Sequence, residues 1–153
     1  MKILLDTTFL LPTIGVSVKD IPQEALEGLV AQECEIVISE ITLFELSAKG
    51  AKFVSKGMLL PEQVAEGIRA IVHDETIDKI CPNETEILLT AMKLRCLMND
   101  FVDCLILSTA INHCDALVTE DNEIHDLKKK KEYLELLSTS NPNFKIKRLS
   151  EAS

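Results

Sequence analysis

Apolar residues in this chain alternate between short runs that end in polar residues and longer stretches where they recur at helical spacing. Lys2-Ile3-Leu4-Leu5 is a compact run closed by Asp6, Thr7 and Thr8, the pattern of a buried strand reaching a polar sheet edge. Ala25, Leu26, Leu29 and Val30 then mark a helix over about 22–32, with Pro22 in its first turn. Glu35-Ile36-Val37-Ile38 is a second strand, and Ser39 caps a helix carrying Leu43, Phe44, Leu46 and Ala48. Pro61 opens an amphipathic helix over 61–73, and a weak strand follows around 79–81. Asn83 is the expected cap of a helix running to about Met98, and Asn99 or Asp100 restarts a largely buried one through Leu105, Leu107, Ala110 and Ile111. Asp115-Ala116-Leu117-Val118-Thr119 is a fourth strand, and it ends in Glu120, Asp121, Asn122 and Glu123. Ile124, Leu127, Leu134 and Leu137 mark helix up to about 137, residues 138–143 a turn-rich link and 144–147 a last strand, with a frayed tail.

Strands alternating with helices along the whole chain predict a three-layer α/β/α fold around a parallel sheet of four or five strands. The 153 residues make one domain, 1–153, by length, and the apolar and charged fractions of 46% and 27% are those of an ordinary folded chain. No apolar run reaches the roughly 18–20 residues of a membrane span, and no signal-peptide pattern precedes the first strand, so the expectation is a cytoplasmic protein without membrane contact. Cys34, Cys81, Cys96, Cys104 and Cys114 form an odd set without a paired motif, which suits packing in a reducing compartment. A zinc set of Cys96, Cys104, His113 and Cys114 has no common ligand spacing.

The candidate chemistry lies in acids at the ends of elements. Open parallel sheets bind ligands beyond the carboxyl ends of their strands, and Asp6 and Asp121 both stand there. Glu45 follows the second strand by about two helical turns, and Asp103 lies in the first turn of its helix, three residues after Asp100. Each has a plain alternative as a turn, cap or surface residue, yet four such acids in one pocket repel one another and call for a compensating cation. Oxygen-only donors favour Mg²⁺ or Mn²⁺ over zinc. The formal charge of −9 argues against nucleic acid taken alone, but a metal-filled acidic cluster cancels much of it locally. His73, His113 and His125 form no recognisable triad, and no glycine-rich phosphate loop is present.

Four segments resemble the PIN-domain nucleases, which include the VapC-type toxins and ribosomal-RNA-processing endonucleases. They are Leu4-Leu5-Asp6-Thr7-Thr8-Phe9-Leu10-Leu11, Ser39-Glu40-Ile41-Thr42-Leu43-Phe44-Glu45-Leu46, Asp103-Cys104-Leu105-Ile106-Leu107-Ser108-Thr109-Ala110 and Leu117-Val118-Thr119-Glu120-Asp121. Their order and spacing agree with the family over residues 1 to about 127. The resemblance implies a metal-dependent endoribonuclease, as a toxin or an RNA-processing enzyme, in which Asp6, Glu45 and Asp103 hold metal directly and Asp121 does so directly or through water. Thr119 would orient a carboxylate or the water, with Asp100 and Glu123 in a supporting ring. The run Lys128, Lys129, Lys130 and Lys131 is a weak RNA-backbone candidate against the plainer reading of a solvated helix face. An antitoxin-like partner and a homodimer through helices such as 22–32 or 61–73 are further expectations. Two rivals stand beside this reading. One is a non-catalytic interaction module on the same fold; the other is a phosphohydrolase with Asp6 as nucleophile, which lacks the usual second Asp because position 8 is Thr.

Overall fold

Five parallel strands, β1 (Lys2–Leu5), β2 (Glu35–Ser39), β3 (Ile77–Ile80), β4 (Ala116–Val118) and β5 (Lys145–Lys147), form the centre of a computed structural model that describes residues 1–152. Their order is β3-β2-β1-β4-β5. The chain therefore builds outward from β1 in one direction through β2 and β3, then crosses back to add β4 and β5 on the other side. The crevice between β1 and β4 is the switch point at which such sheets bind ligands.

The inner strands β1, β2 and β4 read as nearly continuous apolar runs because both faces of the sheet are covered there, while the edge strands β3 and β5 carry Asp78, Lys79, Lys145 and Lys147. Ile3, Leu5, Ile36, Ile38, Ala116 and Val118 face one core, completed by Leu29 of α1 (Ala25–Ala31), Leu46 of α2 (Glu40–Ser55), and Val64 and Ile71 of α3 (Pro61–His73). Leu4, Val37, Leu117 and Ile146 face the other, against α4 (Thr85–Leu94), α5 (Phe101–His113), α6 (Asn122–Asp126) and α7 (Lys131–Ser140). This is the three-layer arrangement expected from the sequence. Helix α5 is buried from Cys104 to Ile111, so its lack of an exposed polar stripe follows from its central position between sheet and outer helices.

Several boundaries differ from the sequence reading. Helix α1 begins at Ala25, with Pro22 ahead of it in a turn whose carbonyl accepts from Ala25 N. Helix α4 is preceded by Glu84 without any side-chain cap, so Asn83 does not serve, and it stops at Leu94, where Arg95 Nη1 donates to the Met98 carbonyl at 3.1 Å. Asp100 caps α5 by accepting from Val102 N at 2.9 Å. Leu149–Glu151 form a 3₁₀ turn and Ala152 is buried, in place of the expected frayed end; Ser153 lies outside the described residues. Among the described residues no helix is long and apolar enough to cross a membrane.

Helix α3 lies close to the 3₁₀ segment Thr7–Ile14 that follows β1, and Gly67 permits the approach. A Cβ there would sit 2.5 Å from the Thr13 carbonyl oxygen and 2.9 Å from Ile14 Cγ2. The first of these is backbone and cannot rotate away. Gly67→Ala is therefore expected to lower stability by about 1–3 kcal/mol, read as a lower urea midpoint.

Candidate metal centre

The carboxyl ends of β1 and β4 each continue into a cap. Asp6 Oδ1 accepts from Thr7 N at 2.7 Å as the 3₁₀ segment begins. Asp6 Oδ2 accepts from Thr119 Oγ1 at 2.7 Å, and the same hydroxyl accepts from Asp121 N at 3.1 Å. Thr119 thus ties the two strand ends together across the β1/β4 crevice. Its carbonyl in turn accepts from Nε2 of the buried His125 at 2.8 Å. Asp121 starts α6 by accepting from Glu123 N at 2.7 Å.

The other acids come from the two helices that border the crevice. Glu45 projects from α2, and its Oε2 accepts from the Thr7 hydroxyl, so the residue after Asp6 fixes the carboxylate of the neighbouring helix. Asp103 stands in the first turn of α5, behind the capping Asp100. The outcome is an open basin of about 480 Å³ lined by Asp6, Thr8, Glu45, Lys49, Asp100, Asp103, Glu120 and Asp121. All four acids proposed from the sequence as ligands line it.

Burial and mutual repulsion shape the charge of this basin. Asp6 is nearly buried, and desolvation raises its carboxyl above the ordinary range despite the opposing hydrogen bonds from Thr119 and Thr7. Asp103 is pushed up to about 7, first by desolvation and then by the negative charges of Asp6, Asp100, Glu45 and Asp121. Such a carboxyl is partly protonated near neutrality because burial, and after it the negative charge of its neighbours, disfavours the ionised form.

Among the described residues no three His, Cys, Asp or Glu side chains converge closely enough to cage an ion as placed. The acids instead line an open basin. The donor set itself fits a hard divalent ion, being all oxygen, with its uncompensated charge expressed at Asp103. The zinc set considered from sequence does not form: Cys104 and Cys114 are buried, and Cys96 is exposed. His113 is engaged by Glu84 at 2.7 Å.

Other residues fall differently from expectation. Asp100 lines the basin and Thr119 bonds Asp6, whereas Glu123 does not line the basin and is turned by α6 toward Asn99 N at 3.4 Å. None of the four lysines 128–131 lines it either. Lys128 and Lys130 donate to the Ile146 and Leu97 carbonyls, while Lys129 and Lys131 lie beside Asp126 and Glu135. Sequence reasoning missed three participants. Glu120 lines the basin but is already matched by Arg148 Nη1 at 3.2 Å; Lys49 pairs with Glu45 at 3.4 Å; and His125 holds the Thr119 peptide. The spacing of Lys49 four residues after Glu45 was the one available signal among these. As a nucleophile Asp6 is poorly placed, because both its oxygens are engaged and little of it reaches solvent.

A parallel sheet with an acid basin at its switch point is a ligand-binding arrangement of the open α/β class, and comparison with known proteins sharpens this. The chain belongs to the PIN domain family, a family of nucleases, whose model matches residues 3–130. Among solved structures it is similar to a chain of VapBC2 from Rickettsia felis bound to a DNA fragment from their promoter. That match has 22% identity and a TM-score of 0.63, and covers 97% of this chain and 98% of the other. It is also similar to a chain of a toxin-antitoxin complex from Klebsiella pneumoniae, at 21% identity and a TM-score of 0.55, over 92% of this chain and 93% of that one. At these identities the likeness is one of fold. No curated protein matches the sequence significantly.

Proposed function

We propose that this protein is a divalent-metal-dependent endoribonuclease, using Mg²⁺ or Mn²⁺, that acts as the toxin of a toxin-antitoxin pair. The observation that carries the reading is that Asp6, Glu45, Asp103 and Asp121, from four separate segments of the chain, all line one basin at the switch point of the sheet. Asp6, Glu45 and Asp103 are assigned as direct ligands, Asp6 and Glu45 through lone pairs that their hydrogen bonds leave open, and Asp121 as a ligand directly or through water. The bound ion supplies an activated water and a counter-charge for the phosphodiester. The protein's own part is positional. Thr7 fixes Glu45, and Thr119 fixes the buried Asp6.

Thr119→Val keeps the side-chain shape while removing the hydroxyl that joins Asp6 to Asp121 N. Outer partners of metal ligands typically contribute 10–100-fold. Cleavage is expected to fall by about that factor with the circular-dichroism spectrum unchanged, and full activity in this variant would count against the assigned role.

A protein partner is supported by the surface of α2 and α3. Ala51, Val54, Val64, Ala65 and Ile68 line a groove of about 440 Å³ between them, and the same helices with their connecting turn expose Phe44, Met58 and Leu60. An antitoxin-like apolar segment, of the kind implied by the toxin-antitoxin assemblies to which the fold is similar, would cover this surface. The functional assignment is tested by incubating the purified protein with single-stranded RNA oligonucleotides in EDTA, Mg²⁺ and Mn²⁺. Cleavage confined to the metal-containing samples is expected, and cleavage in EDTA contradicts the proposal.

A further inference from the structure

Among the described residues one cation lines the acid basin, and neither the metal chemistry nor the lysine run accounts for it. Lys49 lies one turn along α2 from Glu45, with its Nζ 3.4 Å from Glu45 Oε1 and its side chain 40% exposed. The other Glu45 oxygen is occupied by the Thr7 hydroxyl. Lys49 and an entering divalent ion therefore claim the same carboxylate oxygen. Its charge also reaches Asp6, where it opposes the effect of burial. Glu120 is matched by Arg148 Nη1 and Leu149 N, and among the described residues no cation besides Lys49 lines the basin to offset the other acids.

The nuclease assignment above requires a polyanion to approach this wall, and this inference rests on that assignment. We propose that Lys49 serves two states of the site. Without metal it is the counter-ion of Glu45; once metal takes Glu45, the ammonium is released to a non-bridging oxygen of the RNA phosphate entering the basin. A lysine suits this exchange because its four-carbon stem is flexible and its charge is a point donor without a fixed fork. The lysines 128–131 cannot substitute, being placed away from the basin and engaged with carbonyls or acids of their own surroundings. An ordinary exposed pair at this helical spacing would have no link to either metal or RNA.

The two roles move two constants in opposite directions. In Lys49→Met, which keeps the stem and removes the charge, Mn²⁺ measured by calorimetry without RNA is expected to bind roughly 2- to 5-fold tighter, since a competitor at Glu45 is gone. In the same variant kcat/KM for a single-stranded RNA oligonucleotide is expected to fall at least about 10-fold, mainly through KM, as a charge-assisted phosphate contact is lost. Lys49→Arg is expected to recover most of the KM. Unchanged or weaker Mn²⁺ binding in Lys49→Met overturns the counter-ion role, and unchanged KM overturns the phosphate role. An unmodified protein that binds Mn²⁺ but cleaves no RNA counts against the nuclease reading itself and takes the phosphate role with it. That outcome is distinct from an active enzyme indifferent to Lys49.

Discussion

Asp103→Asn is expected to reduce RNA cleavage by more than about 100-fold while making the metal-free protein more stable at pH 8. The loss follows from its place among the four acids lining the basin, where an amide supplies no charge to the metal; even outer partners of such ligands cost up to about 100-fold. The gain in stability follows from linkage. The carboxyl titrates at about 7 in the folded chain against a reference value of 3.8, so between those values the folded state binds the additional proton. The favourable contribution is present at low pH and is lost as pH rises through 7, leaving the charged form as a destabilising group in the folded state at pH 8. Because the side chain is partly exposed, solvent screening reduces the effect to about 1–2 kcal/mol. Urea unfolding in EDTA checks it: the advantage of the Asn variant should be present at pH 8 and shrink as pH falls toward 5. A variant less stable than the parent at pH 8 would show that Asp103 is not held against repulsion.

Metal should reverse the same penalty. Adding Mg²⁺ or Mn²⁺ to the unmodified protein at one hundred times its dissociation constant is expected to stabilise the fold by about 2.7 kcal/mol. For a domain of this size that is roughly a 5–10 °C rise in Tm. At one fixed metal concentration the rise should be larger at pH 8 than at pH 6, where a proton competes for Asp103 and weakens binding, and nearly absent in Asp103→Asn. Stripping the ion with EDTA should return both Tm and cleavage to the metal-free level. A Tm that ignores divalent ions would contradict the reading of the basin as a metal centre.

How far the sequence disclosed this arrangement depended on the kind of interaction. Asp6 and Asp121 were legible because strand ends in a parallel sheet are where such folds bind ligands, and apolar runs ending in acid mark them directly. Glu45 and Asp103 were legible as helical positions near the same edge, but their convergence required the order of the strands. Contacts that hold the acids were less visible. His125 donates to a backbone carbonyl, so a search for catalytic partners among side chains passes over it. Glu123 was expected in the supporting ring, yet α6 begins at Asn122 and turns it toward Asn99 N, out of the basin. Lys49 was signalled only by its i,i+4 spacing from Glu45, a pattern common on any solvated helix face. Helix limits failed for a similar reason: α4 ends at Leu94 without a glycine or proline stop, and Arg95 closes the turn through a side-chain bond that no local signature marks.

The measurement that bears most directly on the central claim is an anomalous difference map from a crystal soaked in Mn²⁺. The account predicts a peak within ligand distance of the carboxylates of Asp6, Glu45 and Asp103, with Asp121 bound directly or through a water. A peak confined to another part of the surface, or an empty basin at saturating Mn²⁺, would contradict it.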